Sequence, residues 1–129
     1  MGENNNTNYV LQFSSGNTLG ENTASGPGDG FSLFASHNNI MNENTARNNF
    51  QAGYRLIVSN GNKIAGNTAV GNAEGFSVET GSIGNEVILN WIMSNHRGIH
   101  ICKTIFQQND LFPNSFSGPQ QAVAIDKTC

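Results

Sequence analysis

The sequence predicts an all-β fold: a single-stranded, right-handed parallel β-helix solenoid with about five turns of 22–24 residues. Three observations predict it. Glycines that precede an aromatic or aliphatic residue recur as Gly30, Gly53, Gly75 and Gly98, at spacings of 23, 22 and 23. Asparagines recur as Asn17, Asn39, Asn62, Asn85 and Asn109, and each is followed five residues later by another, as Asn22, Asn44, Asn67, Asn90 and Asn114. Other columns keep the same register. Leu19, Met41, Ile64, Val87 and Leu111 lie two places after the first Asn, and Ser14, Ser36, Ser59 and Ser82 lie three places before it. A repeat this short cannot bury its own apolar face, so it must stack on its neighbours.

Each turn divides into three short strands. Apolar residues alternate within them, which is strand periodicity, and Gly and Asn every few residues argue against helix. The first strand opens at the Gly and points Phe31/Leu33, Tyr54/Leu56, Phe76/Val78, Ile99/Ile101 and Val123/Ile125 inward; its first copy is Tyr9/Leu11, with Asn8 where the Gly would stand. The second strand carries the Leu19–Leu111 column. The third follows the second Asn and points Ala24, Ala46, Ala69, Ile92 and Phe116 inward. The corners fall to Asn, which tolerates left-handed backbone and whose amide can bond the Asn above and below. One domain is expected over residues 1–129, with regular repeats at about 8–114 and a less regular segment at 115–129 that partly caps the coil.

Composition excludes several function classes. Only 12% of the residues are charged, the net charge is −3, and the six Lys and Arg are scattered, so the basic footprint of a nucleic-acid binder is missing. Polarity comes instead from 21 Asn. No apolar run approaches the roughly 20 residues of a membrane-spanning helix. The start, Met1-Gly2-Glu3-Asn4, shows no basic and apolar leader. As it stands the chain reads as cytoplasmic; as part of a longer protein it would read as secreted.

The runs Ser36-His37-Asn38-Asn39-Ile40-Met41-Asn42-Glu43-Asn44-Thr45-Ala46 and Gly61-Asn62-Lys63-Ile64-Ala65-Gly66-Asn67-Thr68-Ala69-Val70-Gly71-Asn72 resemble the β-helix repeats of the NosD-like group. That group is also described as carbohydrate-binding and sugar-hydrolase repeats and borders on pectate-lyase-like proteins. The resemblance covers about residues 8–125. It implies a β-helix and an association with polysaccharide. The group's enzymes are usually much longer, and the Asp-Pro-His-Asp signature of its mannuronan-epimerase relatives is absent here.

Outward positions of the first strand form surface ladders. One reads Ser32, Arg55, Ser77, His100, Ala124; the next reads Phe34, Ile57, Glu79, Cys102, Asp126. Arg55, Glu79, His100 and Asp126 therefore share one sheet face, and an acid, a base and a cation together are what general acid–base cleavage of a glycan requires. Glu79 and Asp126 stand two strands apart, about 9.6 Å, a separation compatible with inversion. The competing reading is a solvated face with incidental cross-strand pairs. On the third strand the outward columns Thr23, Thr45, Thr68, Trp91, Ser115 and Ser25, Arg47, Val70, Met93, Ser117 expose the only Trp, unless the turn twists to bury it. An exposed Trp91 is a platform for a sugar ring or a protein.

No metal site is expected: His37, His96, His100 and Cys102 fit no ligand spacing, and Asp29 and Glu74, each preceding a Gly, lie in non-adjacent turns. No cofactor is implied. Cys102 and Cys129 read as two free thiols, with a disulfide that pins the final strand as the alternative. Uncapped ends expose strand edges, so self-association is expected end to end or through Trp91 and Met93. Short length and a missing catalytic signature favour a binding module, with Arg55, Glu79, His100 and Trp91 as ligand residues. The alternatives are a non-enzymatic assembly scaffold and a polysaccharide lyase or glycoside hydrolase.

Overall fold

The computed structural model describes residues 2–3 and 7–129. β1 (Gly2–Glu3) comes first. The first turn then holds β2 (Thr7–Gln12), β3 (Thr18–Gly20) and β4 (Thr23–Gly26). The second holds β5 (Asp29–Phe34), β6 (Ile40–Asn42) and β7 (Thr45–Asn49), and the third β8 (Ala52–Ile57), β9 (Lys63–Ala65) and β10 (Thr68–Val70). β11 (Glu74–Val78), β12 (Glu86–Ile88) and β13 (Trp91–Met93) make the fourth. The fifth runs from β14 (Arg97–Cys102) through a 3-10 helix (Lys103–Gln108) to β15 (Ser115–Ser117), and β16 (Gln121–Asp126) closes the chain. The strands stack in parallel as three sheets, β2-β5-β8-β11-β14-β16, β3-β6-β9-β12 and β1-β4-β7-β10-β13-β15. This is the parallel β-helix that the repeat predicts. The departure from regularity sits at Lys103–Gln108, ahead of 115–129, whose strands keep register with β13 and β14.

The core is a set of columns one residue wide. Tyr9, Phe31, Tyr54 and Phe76 stack face to face, with ring centroids 4.8, 5.0 and 4.7 Å apart. Those intervals match the strand spacing, so backbone pairing and ring stacking reinforce each other, and each aromatic pair adds about 1 kcal/mol beyond its burial. Leu33, Leu56, Val78 and Ile101 form a second column, and Met41, Ile64, Val87 and Leu111 a third; all are buried. Gly53 packs against the third-strand column with no room for a side chain: a Cβ there would lie 2.8 Å from the Gly75 carbonyl oxygen and 3.1 Å from Ala46 Cβ. Burial pushes the Tyr54 phenol well above its ordinary pKa. Its hydroxyl donates to the Asn44 carbonyl at 2.9 Å. At β16, the edge strand of the first sheet, the inward pattern fades, and Ile125 is 39% exposed.

The corners differ from the sequence reading. The ladder asparagines do not themselves adopt left-handed backbone; the residue just before each one does, except at the last members Asn109 and Asn114. Glu21, Glu43, Gly66 and Leu89, all with positive φ, precede Asn22, Asn44, Asn67 and Asn90. Phe13, Ala35, Val58 and Gly81 do the same ahead of the Ser14–Ser82 column. A non-glycine residue in that region costs about 1–2 kcal/mol, and hydrogen bonds at the ladder residue offset it. Asn67 Oδ1 accepts the Asn44 N–H and the Asn44 side-chain amide, each at 3.0 Å. Its Nδ2 donates to the Met41 carbonyl at 2.9 Å and to Asn90 Oδ1 at 3.2 Å. It also reaches the Ala65 carbonyl at 3.2 Å, so the side chain's hydrogen-bonding capacity is filled at a residue that is 1% exposed. A third ladder, Asn49, Asn72 and Asn95, continues into Gln120 and follows the same rule.

Cys102 and Cys129 form a disulfide, which corrects the expectation of free thiols. Cys102 turns away from the outward ladder and is 7% exposed, and the chain after Asp126 folds back so that the Thr104 N–H donates to the Cys129 carbonyl at 3.2 Å. The bridge joins residues 27 apart and fastens β16 to β14.

Two substitutions test these supports. Asn67→Ala leaves two donors and one carbonyl of neighbouring turns unpaired, and urea unfolding should show a loss of about 3–5 kcal/mol. Replacing both Cys102 and Cys129 by Ser should cost about 3 kcal/mol, from the lost constraint on the unfolded chain, with the far-ultraviolet spectrum unchanged at room temperature.

Candidate functional site

The ion pairs found among the described residues gather on the first sheet. Its register places Ser32, Arg55, Ser77, His100 and Ala124 in one row, as the sequence ladder anticipates. The four candidate residues do not make one open patch. Arg55 lies between two carboxylates: its Nε is 3.0 Å from Asp29 Oδ2, and its Nη1 is 2.6 Å from Glu79 Oε1. Asp29, nearly buried, also accepts the Ala52 N–H at 2.9 Å, which locks the arginine's first partner to the backbone. His100 lies between two others. Its Nδ1 contacts Glu74 Oε2, and its Nε2 is 3.5 Å from Asp126 Oδ2. Arg97 Nε stands 3.8 Å from the same Glu74 oxygen. Ser77, 2% exposed, occupies the row between the two groups.

Asp29 and Glu74, which the sequence reading weighed only as metal ligands, are the partners it did not place on this face. The strands begin one residue ahead of the Gly, at Asp29, Ala52, Glu74 and Arg97, so the position before the Gly already belongs to the sheet. The signal was present: acidic residues stood at that position in two turns, with an arginine or histidine on a neighbouring strand. The Asp126 carboxyl is held below its ordinary range, first by hydrogen bonds from the Thr128 hydroxyl (2.6 Å) and amide (2.8 Å), then by His100. Each of Arg55, Glu79, His100 and Asp126 thus has an oppositely charged or polar partner within the fold. Such pairs are worth about 0–1 kcal/mol each near the surface. They leave the sheet net negative, with four carboxylates against two arginines and His100, and leave the face without a carboxylate free of partners among those four. A shallow groove of about 400 Å³ lies beside His100, bordered by Arg97, Gln121 and Lys127.

The third sheet is different in kind. Thr45, Thr68, Trp91 and Ser115 follow one another in register on its outer surface, and Arg47, Val70, Met93 and Ser117 form the adjoining row. The alternative that the turn buries the Trp is overturned: Trp91 is 59% exposed. Its outward direction follows from β13, where Ile92 takes the inward place at 0% exposure. Leu89, which turns the corner just before it, is 64% exposed. This face offers hydroxyls, one aromatic plane and one guanidinium, with little charge.

Fold and surface together define a short parallel β-helix whose interior is closed by amide ladders and whose sheet faces are the available binding surfaces. The chain belongs to the family described as periplasmic copper-binding protein (NosD), whose family model it matches over residues 1–128. No curated protein and no solved structure matched it.

The family description names copper, and the described residues do not fit that ion. Both cysteines are consumed in the disulfide, which removes the thiolate donors. His37 Nδ1 already accepts the Asn60 N–H at 3.1 Å, and both nitrogens of His100 face carboxylates. Among the described residues no three His, Cys, Asp or Glu side chains come together as a metal site.

Proposed function

We propose that this chain is a β-helix binding module that holds a polysaccharide against its third sheet, with Trp91 as the stacking platform. The exposure of Trp91 in a row of Thr and Ser carries the reading. An exposed indole on a rigid sheet presents a large apolar plane at low entropic cost, and the neighbouring hydroxyls accept and donate to sugar hydroxyls. The face is continuous across β7, β10, β13 and β15, so successive sugar units meet successive strands at intervals of about 4.8 Å. Arg55, Glu79 and His100 move out of the ligand set, because their partners lie within the fold.

A second reading has its own observation. Leu89 and Phe112 are 64% and 56% exposed, and the Leu89 N–H donates to the carbonyl of Pro113, so these residues lie close to one corner. An apolar cluster of that kind fits a protein contact, including self-association of an assembly scaffold. A glycan-array screen separates the two. Selective glycan binding that drops about tenfold in Trp91→Ala is the expected result. Absence of binding to every glycan, with a concentration-dependent oligomer lost in Trp91→Ala, would contradict it and favour assembly.

A further inference from the structure

The third asparagine ladder breaks at one place, and several irregularities meet there. Asn72 Oδ1 accepts the Asn49 N–H at 2.9 Å and the Asn49 amide at 2.8 Å. The position above Asn49 is Gly26, which has no side chain to donate, so Asn49 Oδ1 is buried without a partner. The register between β4 and β7 shifts at the same point: Ala24 faces Ala46 while Gly26 faces Asn49. Arg47 and Asn48 therefore oppose Ser25 alone, which is a β-bulge, a device that re-aims side chains beside sites. An open groove of about 400 Å³ borders the bulge, lined by Ser25, Gly26, Pro27, Arg47, Asn48 and Phe50. Phe50 is 76% exposed. Arg55 and Arg97 are both ion-paired, whereas Arg47 forms no ion pair among the described residues.

A chain that satisfies its ladders elsewhere leaves here an orphaned acceptor, a bulge, a cation without an ion pair among the described residues and an exposed ring. Departures of that kind from local rules gather at functional positions. We infer that the Arg47 groove binds the carboxylate-bearing ring of an acidic sugar, a second subsite of the face that carries Trp91. The guanidinium fork matches a carboxylate with two parallel hydrogen bonds. Phe50 supplies a plane for the ring, and the Ser25 hydroxyl and Asn48 amide supply hydrogen bonds to its hydroxyls. Arg47 is in register with Val70 and Met93, so Trp91 lies two strands away and two residues back, about 12 Å across the sheet. A short acidic oligosaccharide spans that distance.

This inference rests on the saccharide reading of the Trp91 face, and its test separates the two. The full chain is titrated with polygalacturonate, alginate and hyaluronan, and with the carboxyl-esterified form of each; Arg47→Gln, Arg47→Lys and Trp91→Ala are run alongside. The expected result is about tenfold tighter binding of at least one acid polymer than of its ester. That preference should be lost in Arg47→Gln, partly kept in Arg47→Lys, and weakened by added salt. Arg47 is exposed, so thermal unfolding of both variants should match the parent. Equal affinity for acid and ester forms, unchanged preference in Arg47→Gln, or binding of neutral glycans alone overturns the Arg47 subsite and leaves the Trp91 platform standing. Binding of no glycan of any kind overturns both.

Discussion

The structure depends on one arrangement, the asparagine amide that lies in register with the amide of the next turn. A coil of this width must turn sharply several times per repeat, and at each turn backbone groups face the core with no strand partner. The ladder amide satisfies them: its oxygen takes the backbone N–H and the side-chain amide from the turn before, and its nitrogen bonds a carbonyl of that turn and the amide of the next. Left-handed residues as unlikely as Val58 and Leu89 persist because the residue after each is held this firmly. The ladders run with a polarity, and they end where the last members Asn109, Asn114 and Gln120 turn an amide back onto carbonyls of their own turn, at Ile105, Leu111 and Ser117.

A core stabilised this way leaves the outer faces free to diverge. The first sheet ties its charged groups into two sets of contacts, Asp29–Arg55–Glu79 and Arg97–Glu74–His100–Asp126. The third keeps hydroxyls, Trp91 and Arg47 without carboxylates between them. The proposed ligand would displace water alone on the second kind of surface, whereas on the first it would have to break ion pairs.

The fold was legible because its constraints recur. Columns of Gly, Asn, Ser and apolar residues share one period, and each column corresponds to one physical requirement of a stacked turn. What recurs incompletely was harder to read. The third ladder has three asparagines, lacks a member at Gly26 and ends in Gln120, so it did not stand out as a column. The left-handed positions carry Gly in some turns and Glu, Leu, Phe, Val, Ala, Asn or Ser in others, so no single residue type marks them as a column. The Cys102–Cys129 bridge depends on how the tail folds after β16, which no period reports. The outward direction of Trp91 was legible from alternation, and its neighbour Arg47 appeared in the adjoining column; the bulge that sets Arg47 apart was not.

Amide hydrogen exchange followed residue by residue tests the ladder account most directly. If the ladders hold the coil, the N–H groups of Asn39, Asn44, Asn62, Asn67 and Asn72, which donate to side-chain oxygens at corners, should exchange as slowly as the central strand amides of β8. Corner asparagines that exchange at the rate of exposed loops while β8 stays protected would contradict it, and would place the stability of the coil in its apolar columns alone.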